Sequence, residues 1–272
     1  MTSKNKWLST PYIIWSVIFI IVPLGMILYY GLTDQTGAFT LDNITAIAAA
    51  GHAKALRVSL LLSLVSTLVC FLLAYPLAMI LARVQVKRHN FIILVFILPM
   101  WMNFLLRTLA WQTLLEKNGV INHVLSFLHL PALKIINTPA AIILGMVYNF
   151  LPFMVLPLYN ALSKIDMNVI NAAHDLGANN VYTFVRIILP LSIPGIISGI
   201  TMVFIPALTT FVISSLLGGG KLLLIGDVIE QEFTRTSNWH LGSGLSMVLM
   251  IFILVNMVLS AVFDKDGEGS ML

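Results

Sequence analysis

The chain is 272 residues long, 59% hydrophobic and only 10% charged, with a mean hydropathy of +0.97 and a net charge of +4. Soluble domains carry roughly 25% charged residues, so this chain cannot cover itself for water, and a hydrocarbon solvent is the simplest escape. The charge is small and forms no Lys/Arg-rich block, which leaves a nucleic-acid partner unsupported, while the single cysteine, Cys70, rules out a disulfide framework or a cysteine metal site.

A helix needs ~20 residues to cross a hydrocarbon core of about 30 Å. Six windows free of charged side chains meet that need: Lys6 to Asp34, Arg57 to Arg83, Arg88 to Arg107, Lys134 to Lys164, Arg186 to Lys221 and Arg235 to Asp264. They predict an all-α membrane protein of about six transmembrane helices in a single domain over residues 1–272. The spans are placed at 11–31, 58–82, 91–114, 139–161, 188–216 and 242–263. Barrel strands would instead give ~10-residue alternating segments.

The first window follows Lys4 and Lys6, as a secretory signal would, but it is too long for an h-region. Its exit, Tyr29-Tyr30-Gly31-Leu32, offers no small-x-small cleavage site, so it is read as a retained span. Cations in short loops orient the chain with both termini cytoplasmic, the Arg83–Arg88 loop carrying three of them.

Spans three and four hold the polar and aromatic residues of interest. Trp101, Trp111, Tyr148 and Tyr159 suit either interfacial belts and packing or a path for a cation that uses aromatic faces. Asn103, Asn149 and Asn160 are expected to face the bundle interior rather than lipid. Arg107 is a cation inside a span; it is expected to be structural, snorkelling to the outer surface or pairing with an outer acid such as Glu116.

The stretch between spans four and five, Ser163 to Arg186, is long and not low in complexity. Ile165, Val169, Ala172, Ala173 and Leu176 recur at helical spacing, which predicts a short amphipathic helix over 165–176. Gly177 suits a C-cap at positive φ, and a second short helix, about 181–188, leads to Pro190 and Pro194. Such a bent, partly apolar pair is buried either by lipid headgroups or by a partner protein. Further on, Asp227 and Glu230 lie three residues apart and would share a helix face, either merely solvated or receiving a cation.

The same stretch carries a motif. Asn171-Ala172-Ala173-x3-Gly177-x9-Ile187-x-Leu189-Pro190 resembles the EAA signature of bacterial ABC-importer permeases, with Asn171 where that family usually has Glu. Similarity continues through Leu98-Pro99-Met100-Trp101-Met102-Asn103 with Arg107, through Leu151 to Tyr159, through Asp175-Leu176-Gly177-Ala178, and through Gly218-Gly219-Gly220-Lys221 followed by Ile225 to Glu230. Over nearly the whole chain the sequence resembles the spermidine/putrescine importer permeases of the PotB type. The resemblance implies a type I (MetI-like) permease bundle in the bacterial cytoplasmic membrane, forming half of a polyamine pathway. It implies a coupling loop over 163–190, with Asn171, Ala172, Ala173, Asp175, Gly177 and Pro190 contacting an ATPase. It makes Trp101, Asn103, Trp111, Tyr148, Tyr159, Asp227 and Glu230 candidates for the substrate path. The implied partners are a second permease of the PotC type, two ATP-binding subunits of the PotA type and an external binding protein of the PotD type. ATP and Mg would be used by the partner ATPase, since this chain has no GxxxxGK[ST] phosphate loop. It is thus read as non-catalytic, with no cofactor or metal of its own. A permease for another small solute is the nearest alternative. A secondary transporter would predict matching broken helices in two halves, and an intramembrane enzyme a catalytic constellation; neither is visible.

Overall fold

The computed structural model describes residues 10–83 and 98–269, with side chains over 10–83 and 100–258. The described residues are helical, apart from turns and one isolated bridge between Thr33 and Phe39. Four of these helices are long and apolar enough to cross a bilayer, or five if a bent pair counts as one span.

Helix α1, Thr10–Gly31, is apolar on all sides and buries none of its most apolar window; a helix of that kind has hydrocarbon or another chain as its solvent. It widens into a π turn at Val17–Ile21 before Pro23. Helix α2, Ala50–Arg83, has an inverted pattern. Its buried residues are Ala55, Ser59, Leu62, Ser63, Ser66, Thr67, Cys70, Ala74, Tyr75, Ala78 and Leu81, while Leu61, Leu64, Leu68, Leu72 and Ile80 are exposed. A buried side made mostly of small and hydroxyl residues, with most leucines outside, is how a helix packs when lipid is as apolar as leucine and close backbone approach supplies the attraction.

Helices α3 (Phe104–Leu115) and α4 (Val120–Phe127) follow, then α5 (Pro139–Leu162). The continuous third span placed at 91–114 needs correction where it is described. A 3-10 turn at Leu98–Trp101 precedes α3, and Asn103 sits between them with extended ψ of 128°. Its Oδ1 accepts the Leu105 and Leu106 amides at 2.9 and 3.3 Å, an N-cap that starts a new helix. Residues 84–97, which hold the start of that span and most of the Arg83–Arg88 loop, lie outside the described residues, as do Lys4 and Lys6.

After α6 (Met167–Asp175), helices α7 (Asn180–Leu191) and α8 (Ile193–Thr209) form the pair bent by 63°. The fifth span placed at 188–216 is therefore divided. Pro194 has no N–H to offer the Pro190 carbonyl, so the chain turns at Ser192. A second break falls at Thr210, extended at ψ 142°, before α9 (Val212–Leu217). Helix α8 lies against α5 through a Gly-x3-Gly pair. A Cβ on Gly195 would sit 2.5 Å from the Ala161 Cβ and 2.8 Å from the Pro157 carbonyl oxygen, and one on Gly199 would meet Met154 Sδ at 2.7 Å. Only glycine permits that approach. Helices α10 (Ile225–Thr234) and α11 (Trp239–Gly269) complete the chain.

Two compact units result. One combines the stretch up to Lys54 with Val228–Phe252; the other runs from Ala55 to Asp227 and resumes at Ile253. In the first, His240 Nδ1 lies 2.6 Å from the Thr33 carbonyl and 3.1 Å from that of Tyr30, and Trp239 meets Tyr30 and Phe233 at 6.1 and 5.5 Å between centroids. In the second, the core is built on α2, α5 and α8, with Met146, Met154, Leu158 and Val203 fully buried.

Candidate functional site

The α6–α7 hairpin is assembled from local signals. Asp166 Oδ1 accepts the Asn168 amide at 2.9 Å and starts α6 at Met167, two residues later than the periodicity suggested. At its other end the Gly177 amide bonds the His174 carbonyl and the Ala178 amide bonds the Ala173 carbonyl, both at 2.9 Å, with Gly177 at φ +85°. That pair of bonds is a Schellman cap. Asn179 then caps α7, its Oδ1 accepting the Tyr182 amide at 2.8 Å, so α7 begins at Asn180 rather than Val181.

The hairpin has two faces. Ile170, absent from the apolar repeat read from the sequence, is the buried residue of α6, with Ala173 half-buried beside it. Val169, Ala172, Asp175 and Leu176 are exposed on the far side, and Leu176 at the tip is 90% exposed. Asn171 is exposed, as are Gly177 and Pro190. The structure thus offers small and apolar side chains to the surroundings, on a joint fixed by backbone hydrogen bonds.

A second cluster lies where α3 meets α5. The Arg107 guanidinium stands 6.0 Å from the Tyr148 ring centroid, and Trp111 meets the same ring edge-on at 5.1 Å. Arg107 is 7% exposed, which replaces the expected snorkelling to the surface: the side chain turns inward, where an aromatic face can receive it. Next to Tyr148, Asn149 is buried as expected; its Nδ2 donates to the Gly145 carbonyl at 2.8 Å and its Oδ1 has no hydrogen bond. Asn160, by contrast, is exposed.

The remaining candidates are not gathered there. Trp101 is 77% exposed at the turn before α3, and Asn103 has its carbonyl oxygen committed to the α3 cap. Tyr159 lies further along α5, about 16 Å from Tyr148 at ~1.5 Å per residue. Asp227 and Glu230 were expected to share a helix face, either solvated or receiving a cation, and the solvated alternative is corrected for Asp227. It is 3% exposed and its Oδ2 accepts the Leu224 amide at 2.8 Å, satisfying a backbone donor at the start of α10. Glu230 is half-buried and accepts the Thr234 hydroxyl at 3.0 Å. Among the described residues no group of three His, Cys, Asp or Glu side chains could hold a metal.

Sequence reasoning missed Tyr75 and Ser192, whose hydroxyls meet at 2.8 Å at the α7–α8 bend. The Ser/Thr/Ala stripe of α2 was the available signal.

Residues 74–265 match the model of the family described as binding-protein-dependent transport system inner membrane component. The chain is 39% identical over 266 residues to a spermidine/putrescine transport system permease protein PotB of Escherichia coli K12, covering 93% of this chain and 97% of the relative. It is 37% identical over 254 residues to the protein of that name from Haemophilus influenzae, covering 88% of each. Among solved structures, a bacterial alginate ABC transporter in complex with a pentasaccharide-bound periplasmic protein superimposes with a TM-score of 0.78 at 19% identity, over 94% of this chain and 93% of that one. The MetNI methionine ABC transporter superimposes with a TM-score of 0.56 at 16% identity, over 79% and 95%. Those two likenesses establish the fold, an all-α ABC permease bundle. The family match extends over most of the chain and includes α5, the α6–α7 hairpin and α8, and with it this multi-pass protein belongs to the binding-protein-dependent transport system inner membrane components.

Proposed function

We propose that this chain is the permease subunit of an ATP-driven importer for polyamines of the spermidine/putrescine class, forming half of the membrane path. The observation that carries the proposal is the α6–Gly177–α7 hairpin: a glycine joint locked by two backbone bonds, with Ala172 and Leu176 turned outward. A rigid elbow with small side chains suits insertion into a cleft of a separate ATP-binding subunit. Closure of that subunit, on binding ATP with Mg, would push α6 and so tilt α7 and α8. Asn171 in place of the customary Glu offers an amide, a weaker partner than a carboxylate, and the exposed Asp175 one turn on supplies the charge. Pro190 closes the loop where α7 enters the bundle.

The substrate assignment is supported by the names of the relatives and by the aromatic cluster. Polyamine chains carry several cations, and Trp111 and Tyr148 present rings suited to them. Trp101, Tyr159 and Glu230 stand further along the same reading; Asn103 and Asp227 are spent on helix caps. A second permease, two ATPase subunits and an external binding protein complete the assembly, in the cytoplasmic membrane with both termini inside.

The test is reconstitution. The complex in proteoliposomes takes up labelled spermidine with ATP inside and not with a proton gradient alone. Gly177→Val, strained at φ +85° with no steric clash to confuse it, leaves the permeases assembled and ATP hydrolysis unlinked to uptake. Uptake that ignores ATP, or a Gly177→Val complex with normal transport, overturns the proposal.

A further inference from the structure

We propose that the recess between the end of α2, the bundle-facing side of α6 and the start of α7 binds the phosphate of an anionic phospholipid. The recess is a cavity of about 330 Å³, with Arg83, His174, Asn180 and Thr183 at its polar part and Met79 and Phe184 on its apolar part. A neighbouring cavity shares Met79, Arg83, Ile170 and Ile188, so the groove passes on both sides of Ile170, the buried residue that seats α6 on the bundle.

The chemistry of the lining asks for an anion. Arg83 has donors and no acceptor, Asn180 has an amide, and among the described residues no Asp or Glu lines the cavity. His174 holds the Ala178 carbonyl at 2.9 Å through Nδ1, leaving Nε2 as its other polar atom. An independent observation comes from Thr183. It is 2% exposed, yet its hydroxyl has no hydrogen-bond partner. A helical threonine ordinarily returns that proton to a carbonyl in the preceding turn. Here the Asn179 carbonyl receives only the Thr183 amide, at 2.9 Å. A hydroxyl left in this way, on a residue that lines the same cavity as Arg83, calls for a ligand oxygen. The cavity also adjoins the first turn of α7, where the helix dipole favours negative charge.

A lipid fits better than a free anion because of where the recess lies. Arg83 ends the apolar length of α2, and α7 is the first part of the bent span, so the polar part stands at the level where apolar helices leave the bilayer. Ile80, Val181 and Val185 are exposed around it, surfaces for acyl chains. A headgroup bound here bridges α2 to α6. In the importer reading it stiffens the elbow that the ATPase pushes, although the site itself does not depend on that reading.

The experiment uses the full-length chain, purified in mild detergent and placed in nanodiscs of phosphatidylcholine with or without phosphatidylglycerol. Retained lipid is counted by native mass spectrometry, and the thermal midpoint is read in parallel. The wild-type chain retains phosphatidylglycerol and gains stability from it. Arg83→Gln and Thr183→Val each weaken retention about tenfold, while their midpoints in phosphatidylcholine alone stay at the wild-type value; Thr183→Val keeps the test open if Arg83→Gln folds poorly. Equal retention by the wild type and both variants overturns the proposal, as does stabilisation by inorganic phosphate alone, which would mark a free-anion site. Lipid retention without ATP-linked uptake would leave this site standing and remove only the importer reading.

Discussion

Tyr75 on α2 and Ser192 at the α7–α8 bend share a hydrogen bond, 2.8 Å between hydroxyl oxygens. Ser192 also donates to the Leu189 carbonyl at 2.9 Å, so Tyr75 is the donor to Ser192 Oγ. Phe184 meets the Tyr75 ring edge-on at 5.8 Å. The bend created by Pro194 is thereby pinned to the neighbouring helix α2. Ser192→Ala strands a buried phenol and is expected to cost about 1–3 kcal/mol, whereas Tyr75→Phe costs about 0.5–1.5 kcal/mol. The double variant should be less destabilised than the sum, a coupling measured by a thermal double-mutant cycle.

Helix α5 and helix α8 should tolerate no added methyl at their contact. Gly195→Ala places a carbon 2.5 Å from the Ala161 Cβ and is expected to destabilise by about 1–3 kcal/mol, the usual cost of overpacking. Gly51→Ala, a helical position with nothing within 4 Å of the new methyl, should instead gain up to about 1 kcal/mol. Thermal midpoints in one detergent compare the two.

The tip of the hairpin separates docking from folding. Leu176 is 90% exposed, so Leu176→Glu should leave the midpoint of the isolated chain within about 0.5 kcal/mol of wild type. It should weaken ATPase-subunit binding at least tenfold in a pull-down titration. Unchanged binding would remove the tip from the interface.

Tyr148 carries a cation on its face. Tyr148→Leu removes the ring under Arg107 and is expected to destabilise by about 0.5–2 kcal/mol, while Tyr148→Phe keeps most of that contact. If the ring also serves the path, Tyr148→Leu raises the KM for spermidine uptake and Tyr148→Phe changes it far less.

The turn after α1 should respond to acid. Asp34 Oδ1 accepts the Thr36 hydroxyl, which chiefly holds the carboxyl below its ordinary range, helped by the Ala38 and Thr36 amides at 2.9 and 2.8 Å. A depressed folded pKa means that the turn's stabilisation is present above the unfolded value, about 3.9, and is lost as pH falls through the lower folded value. Amide exchange at Thr36 and Ala38, corrected for intrinsic rates, should lose protection at pH 3 relative to pH 6. Asp34→Asn should remove most of that difference.

Charge-free windows and turn chemistry were legible in the amino-acid order. Residues 11–31 and 139–161 fall within α1 and α5, because a long apolar run without charges has little choice but a membrane helix. Gly177 was readable because an α-to-α joint there needs positive φ. The third and fifth spans were not readable as broken, because an apolar window carries no mark of where its backbone turns; Asn103 and Thr210 mark the breaks only through the conformation they adopt. Nor could the sequence say that Ile170, rather than Val169, faces the bundle, since both are apolar and adjacent.

By itself, then, the sequence determined the solvent, the approximate helices and the hinge motif, all set by local composition and spacing. Only the tertiary structure decided which polar atoms are spent and which remain to act. Asp227 and Asn103 became caps, Arg107 turned onto Tyr148, Tyr75 reached Ser192 and Thr183 kept an unsatisfied hydroxyl, because each depends on which backbone groups the folded chain brings within hydrogen-bonding distance.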